Sequence, residues 1–173
     1  MDPTLLLTGD DWSKMTSKQI KGKYTLLYSL NGYKETSVLA EKVARYFGIQ
    51  LIELSGKRKP LINTKHKSIY TAGPSEFLSL IHGAEYVVTD SFHGTVFSLL
   101  FHKLFITVPH KTRGGRIVNI LSKVGLSERI SATFNKDVIK KDIDWKNVDE
   151  ALSEERKKSE SFIIDAIGGR FND

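Results

Sequence analysis

Apolar runs alternate with amphipathic segments along this chain. Tyr24–Leu30 (YTLLYSL) has the bulky, aromatic character of a buried strand and stops at the turn pair Asn31-Gly32. Glu35–Phe47 then places Val38, Leu39, Val43 and Phe47 at helical spacing and ends at Gly48. Ile49–Leu54 is a second strand. Ser55–Gly73 is long, basic and irregular, and is expected to be a surface or active-site loop. Pro74, at the favoured first helical position, opens a helix to about His82. Tyr86–Thr89 is a short strand feeding a helix from about Phe92 to His102. Phe105–Val108 is the next strand and Gly114–Val124 the next helix, ended by Gly125. Arg129–Ala132 is a candidate last strand, and Asp144–Ile167 reads as one or two charged amphipathic helices.

Strand–helix alternation of this kind predicts a three-layer, Rossmann-like α/β domain, with a mostly parallel sheet and helices on both faces. In such sheets ligands bind beyond the carboxyl ends of the strands, where the chain reverses its winding. At 173 residues one domain is expected, spanning 1–173, with residues 144–173 as a helical tail. Asp2–Leu7 and Asp10-Asp11-Trp12 have no regular partner in the pattern, so residues 1–15 read as linker-like.

Composition narrows the chemistry. No apolar stretch approaches a bilayer span, and the Met1-Asp2-Pro3-Thr4 start lacks a signal-peptide pattern, which makes the cytoplasm the default expectation. With no cysteine there is neither a disulfide nor a thiolate metal site. An excess of 26 basic over 20 acidic residues, a formal charge of +6, favours anionic partners without choosing among them. Much of it lies in short clusters: Lys57-Arg58-Lys59, Lys65-His66-Lys67, Lys111-Thr112-Arg113 with Arg116, and Arg156-Lys157-Lys158. A solvated face accounts for most such clusters.

The most informative stretch is Ala84–Val108 (AEYVVTDSFHGTVFSLLFHKLFITV). A strand ends at Thr89, Asp90-Ser91 can cap the following helix, and that helix is apolar almost all round, hence central. Its first turn carries Ser91, His93 and Gly94, where free backbone N–H groups and the positive end of the helix dipole suit an anion. Gly94 lets a ligand or neighbouring backbone come close. An anion beside His93 would favour the protonated imidazole and make it a proton donor. A plain cap at Ser91 and an ordinary first-turn histidine also fit the local pattern. Just past the next strand, Lys111, Arg113 and Arg116 flank Gly114-Gly115, a combination suited to phosphate or carboxylate; a solvated loop is the alternative. His82 and His102 read as structural, and His66 is unassigned. No His or carboxylate pair has a convincing metal spacing, including Asp10-Asp11 and Asp142/Asp144, and nothing identifies an acid to complete a triad with Ser91 and His93. Aromatic residues follow core periods rather than a basic face, so nucleic-acid binding is not expected.

At these residues the chain resembles the polysaccharide pyruvyl transferase family. The likeness runs to about Arg129 and rests on DPTLLL with Trp12 after it, YTLLYSL, AGPSEFL at 72–78, and above all TDSFHGT at 89–95. The resemblance implies the carboxy-terminal half of an enzyme with two Rossmann-like halves of glycosyltransferase-B type. It implies phosphoenolpyruvate as donor, a glycan sugar as acceptor, and a pyruvate ketal as product. His93 would be the active-site histidine, with Ser91, Gly94 and a basic residue among Lys111, Arg113 and Arg116 binding the donor. No organic cofactor is implied. The expected partners are the two substrates and the amino-terminal half, without which the chain would be inactive. A lipid-linked acceptor would add peripheral contact with the inner face of the membrane. Two rival readings are a nucleotide-sugar-binding glycosyltransferase domain, and a non-catalytic module for carbohydrate or polyanion.

Overall fold

The computed structural model describes residues 2–17, 20–32, 34–55 and 67–168. Within them five strands, β1 (Tyr24–Tyr28), β2 (Gln50–Leu54), β3 (Lys67–Ile69), β4 (Tyr86–Thr89) and β5 (Leu104–Thr107), form one sheet in the order β3-β2-β1-β4-β5. Every neighbouring pair is parallel. The helices are α1 (Gly9–Ser13), α2 (Lys34–Phe47), α3 (Pro74–His82), α4 (Phe92–Leu100), α5 (Gly115–Lys123), α6 (Lys136–Lys140) and α7 (Trp145–Gly168). None is long and apolar enough to cross a membrane.

Alternation along the strands divides the core in two. Tyr24, Leu26, Ile52, Leu54, Val87 and Phe105 pack with side chains of α3, α4, α5 and α7. Leu27, Leu51, Tyr86, Val88 and Ile106 face the other way, onto Leu39, Ala40 and Val43 of α2 and Ile139 of α6. The sheet is therefore covered on both faces, as the expected three-layer α/β class requires.

Three expectations change. β3 lies inside the segment read as a loop: its three residues are too few to show a strand pattern, and only pairing with β2 makes them one. The 56–66 part of that segment, with the Lys57-Arg58-Lys59 cluster and His66, falls outside the described residues. Arg129–Ala132 is not a strand but a 3-10 turn, Ser127–Arg129, followed by a single bridge from Ile130 to Thr107. There the backbone serves to bury Arg129, which is wholly inaccessible and donates to the Lys141 carbonyl.

Residues 1–15 are expected to be linker-like, but the described ones, from Asp2 on, pack against the core. Asp2 accepts a hydrogen bond from the Thr4 N–H at 3.1 Å, starting a 3-10 helix over Pro3–Leu6 that buries Leu5 to 1% exposure. Thr8 and Asp11 form a reciprocal capping box on α1. The Trp12 indole meets Phe97 edge-on at 5.2 Å, and a Cβ at Gly9 would collide with the Leu100 carbonyl. Arg156 of α7 donates to the carbonyls of Leu5 (3.0 Å) and Leu7 (3.4 Å).

Candidate functional site

β1 and β4 are neighbours, but α2 leaves β1 toward one face of the sheet and α4 leaves β4 toward the other. Their carboxyl ends thus flank the crevice that this winding opens. Three consecutive residues shape it. The Thr89 hydroxyl donates to the Tyr28 carbonyl at 2.7 Å and accepts from the Ser91 N–H at 3.0 Å, locking the end of β4 to β1. Asp90, buried to 5% exposure, does not cap α4. Its carboxylate crosses to the exit of β1, accepting from the Ser29 hydroxyl (2.6 Å), the Leu30 N–H (2.8 Å) and the Asn31 N–H (3.2 Å). The amides that open the β1–α2 loop are therefore already committed to an internal carboxylate. Ser91 alone is the cap, accepting from the Gly94 N–H at 3.3 Å.

Gly94 is buried, and a Cβ there would strike the Thr89 hydroxyl and come within 3.1 Å of the Tyr28 ring. Close seating of α4 on the sheet is enough to demand glycine. His93, next to it, is exposed, its ring edge-on to Phe92 at 5.6 Å. The imidazole borders a cavity of about 470 Å³ walled by Tyr28, Tyr70, Phe77 and Phe97. Burial raises the Tyr28 phenol; the neighbouring Ser91 hydroxyl offsets this in part, and the Asp90 charge reinforces it.

On the other side of His93, the Arg116 guanidinium stacks over Phe92 at 4.4 Å and reaches the Asp2 carboxylate at 3.5 Å. Partial burial of Asp2 disfavours its charge. Hydrogen bonds from the Thr4 side chain and backbone, with the positive charges of His93 and Arg116, outweigh this and lower its carboxyl below the usual range. A second cavity of about 400 Å³ opens here between Phe92, Arg116, Asn119, Lys123 and Glu155. Among the three basic residues after β5, the structure brings Arg116 to the first turn of α4. Lys111 and Arg113 are exposed on the preceding turn, and among the described residues neither has a hydrogen bond or ion pair. That turn is held by Gly114, where a Cβ would approach Pro109 within 2.6 Å, and by the His110 Nδ1, which accepts from the Thr112 N–H at 3.1 Å.

His82 and His102 line neither cavity. His82 packs edge-on against Phe101 at 5.0 Å. His102 stacks on Trp145 at 4.8 Å and contacts Asp149 at 2.9 Å. Sequence reading passed over Tyr28, Phe92, Tyr70 and the cross-strand role of Asp90. Tyr28, Phe92 and Asp90 look like core or cap in one dimension and Tyr70 falls in the segment read as a loop; only tertiary packing brings them to the crevice.

A parallel sheet covered by helices on both faces, with a buried helix opening on an exposed histidine and an arginine stacked beside it, defines a doubly wound α/β domain. A sequence model of the polysaccharide pyruvyl transferase family matches residues 1–112, and the chain belongs to that family. The match includes Ser91, His93, Gly94 and Lys111 and stops short of Arg113 and Arg116. No curated protein matches the sequence. Among solved structures the chain is similar to spinosyn forosaminyltransferase SpnP, with a TM-score of 0.47 and 12% identity over 86% of this chain and 42% of that one. The chain thus spans less than half the length of that structure.

Proposed function

We propose that the first turn of α4 and the basic residues after β5 hold phosphoenolpyruvate, and that the enzyme containing this domain as its carboxy-terminal half builds a pyruvate ketal on a glycan. The observation that carries this reading is the exposed His93 imidazole beside the cap residue Ser91, with Arg116 stacked on the intervening Phe92. The reaction needs a proton delivered to the methylene carbon of the enol, which makes C2 electrophilic. Two sugar hydroxyls then bond to C2 in turn, each losing its proton, as the C2–O bond to phosphate breaks. In this reading His93 supplies the first proton or binds the departing phosphate. The Ser91 hydroxyl and the first two amides of α4, with Arg116, Lys111 and Arg113, supply hydrogen bonds and positive charge for the phosphate and carboxylate. The amino-terminal half would complete the acceptor site, so the isolated chain is expected to bind donor without turning it over. Family membership and the exposed His93 in this crevice support the reading.

In the two-half enzyme, His93→Asn keeps the shape and a polar donor but removes the titratable nitrogen. Turnover should fall by on the order of 10²–10⁴ with little change in donor affinity if His93 delivers the proton. If it only binds phosphate, affinity falls and saturating donor restores most of the rate. Near-normal turnover and affinity would remove His93 from the site.

A further inference from the structure

Two cavities flank the first turn of α4, one bordered by Phe92 and the other by His93, and they differ in chemistry. The Arg116 side carries Arg116 and Lys123 together with the carboxylates of Asp2 and Glu155. The other has no lysine, arginine or carboxylate on its wall among the described residues; its only titratable base is His93 itself. Aromatic rings supply much of its described wall, which suits the face of a sugar ring. We propose that this cavity is a sugar subsite, seating one neutral pyranose unit of the glycan acceptor against Tyr28, Tyr70 and Phe77; the acceptor role rests on the donor assignment above.

The walls are those of a ring-binding site. Tyr28 stands at the end of β1, Ser55 follows β2, Tyr70 follows β3, and Phe77 lies on the first turns of α3. Tyr28 meets Phe77 edge-on at 5.0 Å, and Phe77 meets Phe97 at 5.6 Å, which makes a stiff aromatic corner. Aromatic faces carry partial negative charge, and the axial C–H bonds of a pyranose present partial positive charge to them. The Tyr28 phenol, protonated at neutral pH like any tyrosine, can donate to a sugar hydroxyl. Leu30 leaves 64% of its surface exposed at the mouth, and its N–H is pinned to Asp90 at 2.8 Å, so an apolar lip stands ready-made. About 470 Å³ falls within the size range of small-ligand pockets and accommodates a sugar unit. A nucleotide is the rival occupant to exclude. Donor on the Arg116 side and sugar on the aromatic side would place the Phe92-His93 turn of α4 between them.

The test is backbone amide shift mapping on this chain with three probes: a panel of methyl gluco-, galacto- and mannopyranosides, phosphoenolpyruvate, and uridine monophosphate. At least one methyl hexoside should shift the amides of Leu30, Ser55, Tyr70, Ala72 and Gly73. Tyr70→Ala should weaken that binding by about tenfold or more, while phosphoenolpyruvate continues to shift residues 92–95 and Arg116. Leu30→Asp, a change at an exposed side chain, should have the same effect on the hexoside and serves if Tyr70→Ala disturbs the fold. Hexoside shifts that are absent, lie elsewhere or survive both variants would overturn the subsite, as would shifts of these amides by uridine monophosphate alone. Hexoside binding in the aromatic cavity without any response of the α4 turn to phosphoenolpyruvate would support the subsite and count against the donor assignment.

Discussion

Gly94 and Gly115 both stand in the first turn of a helix, yet a methyl group means different things at each. At Gly94 it would meet the Thr89 hydroxyl, itself fixed between the Tyr28 carbonyl and the Ser91 N–H, so neither neighbour can yield. Gly94→Ala should destabilise the domain by about 1–3 kcal/mol with no ligand present. At Gly115 nothing lies within 4 Å, and alanine there should be neutral or stabilising by up to about 1 kcal/mol. Chemical denaturation of the pair checks this; unchanged stability in Gly94→Ala would mean that the glycine serves a ligand instead. His82 offers a separate test through pH. Burial, reinforced by the nearby Lys103 charge, lowers its folded pKa below the ordinary 6.5. Between the two values the unfolded chain binds more protons than the native one, so the neutral-imidazole contribution is complete above about pH 6.5 and is lost as pH falls through the lowered value. Stability should therefore decline on acidification from that point, and His82→Phe should flatten this part of the profile.

At the scale of elements, the 3-10 helix at Pro3–Leu6 shows how weakly a short segment declares itself. DPTLLL has no period to match, yet Leu5 is as buried as the central strands, and Arg156 ties its carbonyls to α7. Leu5→Ala should cost about 2–5 kcal/mol, the range for emptying a well-packed leucine site. A loss near zero in thermal or denaturant melts would mean that the segment only rests on the surface. β3 and the Arg129 turn belong to the same class. Neither has enough residues for local preference to decide its conformation. Pairing with β2 settles one, and burial of a guanidinium against the Lys141 carbonyl settles the other. The long elements α2, α3 and α4 lie close to where periodicity and their Gly and Pro punctuation place them.

For the whole molecule, one sheet covered on both faces, with α7 locked onto the first 3-10 helix, should melt as a single cooperative unit. Calorimetry should show one transition with matching calorimetric and van't Hoff enthalpies, whereas an early separate loss of α7 signal would contradict the packing. The net charge of +6 and the 68% exposure of the Arg116 side chain also predict that phosphoenolpyruvate binding weakens as salt is raised. Binding of the neutral hexoside should be insensitive to salt over the same range.

Hydrophobic pattern and punctuation were enough to determine the α/β class, four of the five strands, the main helices and the placement of His93 in the first turn of a buried helix. Those features are local: a strand or helix of sufficient length declares its period, and a capping serine declares its start. The rest depends on partners distant in sequence. Asp90 and Leu30 are 60 residues apart, and only the parallel pairing of β1 with β4 converts an apparent cap into a clamp on the neighbouring loop. Arg116 rather than Lys111 or Arg113 reaches the site because α5 carries it back over Phe92. The aromatic cavity draws its walls from the ends of β1, β2 and β3 and from α3 and α4, segments as far apart in the chain as Tyr28 and Phe97. One-dimensional order records which groups are available; tertiary packing decides which of them meet.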